Sequence, residues 1–190
     1  MQQNFKDDII DNAITLFSEH GYEGTTLNEI AKSVNIKKAS LYYHFSGKDD
    51  IYRSTVEICT KYFIDFIKDA HSEYDYSMES LHQFLYNFIF NVDERFIRLY
   101  VQLPYAPRLF NNEFYDNIKS VHEILDNEIL NYYNETTFTI DKTDFQNMVL
   151  LFVESWYLKC CFAQRYGKID DSKIKFKNEV FSLLNVISEK

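Results

Sequence analysis

The sequence predicts an all-α fold, and three observations carry that prediction. Only four glycines and two prolines interrupt 190 residues, so long stretches lack the two residues that most readily break helices. Apolar residues recur three and four positions apart along most of the chain, the period of a helix with one buried face. Capping residues also punctuate that pattern where helices would start and stop. The length is sufficient to bury a core without disulfides or metal.

Each element follows in order. Ile9, Ile10, Ala13, Ile14 and Phe17 mark a first helix that closes at His20-Gly21, where glycine tolerates positive φ. Thr26 followed three residues later by Glu29 reads as a capping box. Leu27, Ile30, Ala31 and Val34 then give the stripe of a short second helix that stops near Asn35. A third helix is expected from Lys37 to Phe45, with Leu41 and Phe45 on its buried face. Ser46-Gly47 breaks the chain before a longer helix from Lys48 to Ala70, and the polar stretch His71 to Ser77 reads as a loop. Leu81, Phe84, Leu85, Phe88 and Ile89 mark the next helix. Arg95 to Leu103 is a short one, ended by Pro104 and Pro107. Ile118, Val121, Ile124, Leu125 and Ile129 define another, ending around Tyr133.

The last two helices differ in kind. The segment from Asp141 to Tyr166, closed by Gly167, is apolar around more than one face, and so is the final helix from Asp170 to Glu189. Such helices need cover on more than one side. Either they complete the chain's own core or they meet symmetry mates in a four-helix interface between two copies.

A net charge of −9 speaks against a protein coated in nucleic acid, because sequence-independent binding needs cations to displace counterions. The distribution says more than the total. From Ile30 to Lys48 there is no Asp or Glu, while Lys32, Lys37, Lys38 and Lys48 lie there with His44. A small basic patch on an acidic body binds DNA locally and repels it elsewhere. Cys59, Cys160 and Cys161 have no metal-ligand spacing and read as apolar filling. The opening MQQNFKDDIIDN is polar and acidic, unlike a secretory leader. The apolar run Val149 to Val153 is too short to span a bilayer. A soluble, cytoplasmic protein without metal or cofactor is expected.

The second and third helices, joined by a turn at Asn35, have helix-turn-helix lengths, a pattern whose second helix enters the major groove. With Leu41 and Phe45 turned inward, Lys37, Lys38, Ser40, Tyr42, Tyr43 and His44 are left at the surface. Lysines neutralise phosphates, hydroxyls donate to phosphate oxygens, and aromatic rings can contact thymine methyls. His44 has a second reading, as a neutral side chain capping the third helix. The third helix holds no Arg, Asn or Gln, the usual bidentate readers of guanine and adenine. Base specificity then rests on Lys37 or Lys38, apolar contact from Ala39, and DNA shape.

These residues carry a resemblance. Gly21-Tyr22, Thr25-Thr26, Ile30-Ala31, Val34 and the string KKASLYYHFSGKDDIY resemble the N-terminal pattern of the tetracycline-repressor (TetR) family, and LYYHF with a lysine three positions on is its most specific part. The likeness ends near Thr55; beyond it, helix count and C-terminal apolarity agree. The resemblance implies a helix-turn-helix unit over 1–47 and a helical dimerisation and possible ligand-sensing domain over 48–190. It implies a homodimer that binds a palindromic operator in double-stranded DNA and regulates transcription, usually by repression. Activation, or action through a protein partner, remains an alternative that the residues do not separate. It further implies that Thr26 contacts a phosphate, that Lys37, Lys38, Ala39, Ser40, Tyr42, Tyr43 and His44 face the groove or its walls, and that Lys48 clamps the backbone. For Thr26 and Lys48 the physical reading agrees, since helix N-termini attract anions.

Small-molecule sensing is the usual companion of this fold. Tyr62, Phe66, Phe84, Phe88, Tyr100, Tyr105, Phe152, Trp156 and Tyr157 could line an inducer pocket between helices, or simply fill a core. Catalysis is not expected. His20, His44, His71, His82 and His122 are scattered, and no metalloprotease motif, glycine-rich phosphate loop or nucleophile in a recognised setting is present.

Overall fold

The structure, a computed structural model, describes residues 2–188, with side chains described for 5–72 and 74–188. The described residues form nine α-helices: α1 Gln2–Gly24, α2 Leu27–Ser33, α3 Lys38–Leu41, α4 Lys48–Glu73, α5 Met78–Phe90, α6 Glu94–Gln102, α7 Asn111–Glu135, α8 Lys142–Arg165 and α9 Ile169–Ile187. Short 3-10 turns at Leu103–Tyr105 and Arg108–Phe110 connect α6 to α7. Extended pairing among the described residues is an isolated antiparallel bridge between Phe138 and Ser188. The all-α expectation is met.

Several boundaries differ from the sequence reading. The first helix breaks at Gly21 as expected, but helical turns resume through Gly24. The third helix is four residues long rather than running to Phe45. The expected loop from His71 is shorter because α4 continues to Glu73; the chain then turns at Tyr76, whose φ is 59°. α7 begins at Asn111, well before Ile118, because Phe114 is the one buried residue in its first two turns and leaves a weak periodic signal. The expected end of the last helix at Glu189 lies outside the described residues.

The chain divides into two compact units, Met1–Tyr62 with Arg95–Lys119 and Phe63–Glu94 with Ser120–Lys190. In the first, Ile9, Ala13, Phe17, Ile30, Leu41, Phe45, Ile51 and Val56 are buried. An aromatic cluster joins them: Tyr52 packs its ring 4.8 Å from Phe17, 5.0 Å from Tyr22 and 5.4 Å from Phe110. Each such ring contributes on the order of 2 kcal/mol through burial, and the same burial pushes the Tyr52 phenol up to about 12. α6 is fastened to α1 at both ends. Arg95 Nη1 donates to Asp11 Oδ1 at 2.9 Å and to Thr15 Oγ1 at 3.0 Å, and Gln102 Nε2 donates to the Ser18 carbonyl at 2.8 Å.

In the second unit, α5, α8 and α9 pack mutually. α5 buries Leu81, Phe84, Leu85, Phe88 and Ile89, α8 buries Val149, Val153, Trp156 and Tyr157, and α9 buries Phe176, Val180 and Leu184. The Tyr157 hydroxyl donates to the Phe88 carbonyl at 3.1 Å. Outside this seam α8 and its C-cap Tyr166 expose Leu151, Leu158, Phe162 and the Tyr166 ring, and α9 exposes Ile174, Phe181 and Val186. Their all-round apolarity therefore splits into a buried face and a bare one. The three cysteines are free thiols, and burial pushes Cys160 up to about 12. No helix among the described residues is long and apolar enough to cross a membrane.

Candidate DNA-binding site

Local sequence builds α2 from both ends. At its start the Glu29 N–H donates to Thr26 Oγ1 at 3.2 Å, while the Thr26 N–H donates to Glu29 Oε2 at 2.8 Å, so two otherwise orphaned donors are satisfied reciprocally. These hydrogen bonds from Thr26 hold the Glu29 carboxyl below its ordinary range. At its end Asn35 takes φ 56°. The Ile36 N–H then reaches the Ala31 carbonyl at 2.9 Å, and the Asn35 N–H the Lys32 carbonyl at 3.1 Å. That is a Schellman closure with asparagine in the glycine position, and it turns the chain sharply into α3.

α3 opens at Lys37 without a side-chain cap. After Leu41 the turn tightens: the Tyr43 N–H reaches Ser40 and the His44 N–H reaches Leu41, both three residues back. It stops because the Ser46 N–H donates to Asp50 Oδ2 at 2.8 Å instead of continuing the ladder. Leu41 and Phe45 are buried as expected. Lys37, Lys38 and Ala39 are exposed and Ser40 is half-buried. Tyr42 is 54% exposed and Tyr43 87%. Leaving two consecutive phenol rings in water is costly unless something covers them.

Three residues of the expected set already have partners within the chain. The Thr26 hydroxyl donates to Glu29 Oε2 at 2.8 Å. His44 leans on Phe5, ring centroids 5.7 Å apart, rather than capping α3. Lys48 Nζ donates to the Tyr22 carbonyl at 2.8 Å and the Thr25 carbonyl at 3.1 Å, and lies 3.9 Å from the centre of the Tyr22 ring. An ammonium has three donors; two go to these carbonyls, and the Tyr22 ring lies against the same ammonium. Lys48 thus ties the first turn of α4 to the carbonyl-rich end of α1.

The aromatic candidates for an inducer pocket fall into two groups. Tyr62, Tyr100 and Tyr105 belong to the first unit, where Tyr62 packs on Phe96 at 4.6 Å and Tyr105 is 87% exposed. Phe66, Phe88, Phe152 and Trp156 belong to the second and sit among other rings: Phe66 lies 5.7 Å from Phe88, and Trp156 lies 5.0 Å from Phe176. Trp156 also floors an open groove of about 320 Å³ between α8 and α9, with Lys159, Phe162, Tyr166 and Lys175 around it.

Comparison with known proteins decides the family. Residues 9–55 match the pattern of bacterial regulatory proteins of the tetR family, and residues 74–186 match the tetracyclin repressor-like C-terminal domain. The chain belongs to the TetR family. Among its TetR relatives, the biofilm operon icaADBC HTH-type negative transcriptional regulator IcaR of Staphylococcus epidermidis is 55% identical over 185 residues, 97% of this chain and all of that protein. The Staphylococcus aureus IcaR is 52% identical with the same coverage. Solved TetR-like folds match most of the chain. The transcriptional regulator FadR of Bacillus subtilis, in complex with stearoyl-CoA, matches with TM-score 0.70 at 20% identity, covering 93% of this chain and 96% of that one. A ketosteroid transcriptional regulator of Mycobacterium tuberculosis matches with TM-score 0.70 at 15% identity, covering 97% and 95%.

Sequence reasoning missed Phe5 and Lys6 of α1: Phe5 leans on His44, and Lys6 Nζ lies 5.0 Å from the Phe45 ring centre. The family pattern includes Tyr22 but gives no sign that its hydroxyl donates to Asp49, 27 positions on. No local pattern signals either contact, because the partners are distant in sequence.

Proposed function

We propose that this protein is a transcriptional repressor that binds a palindromic operator as a homodimer and controls a biofilm operon of the icaADBC kind. The observation that carries the reading is the acid-free stretch from Ile30 to Lys48, with Lys37, Lys38, Ala39, Ser40, Tyr42 and Tyr43 presented by a segment fixed on Leu41 and Phe45. End-to-end similarity to two IcaR repressors supports the choice of repression and of operon. Residues 1–47 bind DNA in this reading, and residues 48–190 dimerise. Thr26 and Lys48 meet phosphates, and His44 stands at the groove wall. Protein and DNA meet in the cytoplasm.

The bare apolar faces of α8 and α9 support dimerisation, since seven exposed large hydrophobics along two adjacent helices are what a second copy would cover. A dimer carries two recognition segments, and a palindromic operator offers them major grooves about 34 Å apart. A small-molecule inducer would act on the body of the dimer by favouring a spacing that no longer fits.

Selection of bound duplexes from a random pool tests this reading, with the icaADBC promoter region of S. epidermidis assayed alongside. Recovery of a two-fold symmetric sequence also present in that promoter is expected. Recovery of no symmetric sequence would overturn operator binding, and a symmetric sequence absent from the promoter would overturn the assignment of the operon.

A further inference from the structure

The N-terminus of α4 presents an electrostatic contradiction. Lys48 offers a cation there, yet Asp49 and Asp50 follow it directly, and two carboxylates beside a phosphate path repel the phosphate that the lysine attracts. Both carboxylates are tied to groups of the protein. Asp50 Oδ2 accepts from the Ser46 N–H at 2.8 Å and from the Ser46 hydroxyl at 3.2 Å. Asp49 Oδ1 accepts from the Tyr22 hydroxyl, and the Arg53 guanidinium bears on the same pair.

Tyr22 is built for that task. Gly21 adopts φ 69° and ψ 177° just before it, which turns Tyr22 off the axis of α1. Its ring packs 5.0 Å from Tyr52 and 5.5 Å from Phe110, so the phenol is aimed by the aromatic core and not by a flexible stem. The face of that ring carries the Lys48 ammonium, and its hydroxyl carries the Asp49 carboxylate. One side chain therefore holds a cation and its neighbouring anion at separate places. Burial, and then the hydrogen bond to Asp49, keep the phenol protonated and able to donate well above neutral pH.

We propose that Tyr22 is a positioning residue for DNA binding: by holding the Asp49 carboxylate against the protein it keeps the start of α4, where Lys48 supplies a cation, open to a phosphate. This rests on the reading of the chain as an operator-binding dimer.

The test uses the full-length protein and the duplex that it selects from a random pool, titrated at several salt concentrations. Tyr22→Phe keeps the ring and removes the donor, so helix content and dimer mass should stay the same while affinity falls about tenfold for the two subunits together. Adding Asp49→Asn to Tyr22→Phe should restore affinity to within about twofold, since the charge released is no longer there. Asp49→Asn alone should change affinity by less than about twofold, because the carboxylate is already held away. Unchanged affinity in Tyr22→Phe, a loss that Asp49→Asn fails to rescue, or a large gain from Asp49→Asn alone would each overturn the proposal. A large gain from Asp49→Asn alone overturns the proposal even if Tyr22→Phe does not fold. Lys38→Ala is titrated in parallel. If it too binds with undiminished affinity, the operator-binding reading has failed; if it weakens binding and Tyr22→Phe does not, only the role of Tyr22 has failed.

Discussion

Thr26 and Glu29 satisfy each other's backbone, with the Thr26 N–H on Glu29 Oε2 at 2.8 Å and the Glu29 N–H on Thr26 Oγ1 at 3.2 Å. The pair starts the seven-residue α2, which has no length to spare. Thr26→Ala removes one half of the exchange and should destabilise the protein by about 1 kcal/mol in urea unfolding. Thr26→Ser, which keeps the acceptor, should lose far less. Equal stability of the Ala and Ser variants would mean that the cap does not hold α2 in place.

Gly21 sits at φ 69°, ψ 177°, a region open almost exclusively to glycine. A Cβ there would also lie 3.2 Å from Gln102 Oε1, next to the bond by which Gln102 ties α6 to Ser18. Gly21→Ala is expected to cost about 1–3 kcal/mol. Gly47, with open space around it and no positive φ, serves as the control. Thermal melts of the two alanine variants compare them directly, and a Gly21 variant as stable as the Gly47 variant would refute the strain.

The start of α5 carries an acid-sensitive contact. Asp75 accepts hydrogen bonds from the Ser80 hydroxyl and, at 3.0 Å, from the Ser77 N–H, and these hold its carboxyl down to about 2. A depressed folded-state pKa contributes stability above the ordinary aspartate value and loses it as pH falls toward the folded value. Between about pH 4 and pH 2, stability should decline more steeply in the unmodified protein than in Asp75→Asn. Parallel pH profiles of the two proteins over that window would argue against the contact.

Much of this molecule was legible in the sequence because the signals were local. The Thr26–Glu29 box, the positive φ at Gly21, Asn35 and Gly167, and the inward turn of Leu41 and Phe45 all follow from residues a few positions apart. What escaped the sequence is which side chain takes which backbone group. The extent of α3 depends on Asp50 taking the Ser46 N–H, and the occupied state of Lys48 depends on carbonyls 23 and 26 positions earlier. Phe114 alone could not announce the first two turns of α7. The aromatic residues were readable as apolar but not as neighbours, because periodicity does not specify which rings meet.

The bare faces of α8 and α9 give a prediction about assembly. Phe181→Glu combined with Leu158→Glu places charges on both exposed faces without touching buried residues such as Trp156 or Phe176. Light scattering at micromolar concentration should report a dimer for the unmodified protein and a monomer of unchanged helix content for the variant. A dimeric variant would place the interface elsewhere.

DNA binding by the exposed segment after Asn35 is tested most directly by operator titration of Lys38→Ala and Tyr42→Ala. Both side chains are exposed and absent from the core, so folding and dimer mass should be unaffected. Affinity should fall in both. In Lys38→Ala the slope of log affinity against log salt should flatten by about one for each phosphate that the lysine no longer neutralises, hence about two per dimer. Operator affinity and salt slope equal to those of the unmodified protein in both variants would contradict DNA binding by this segment.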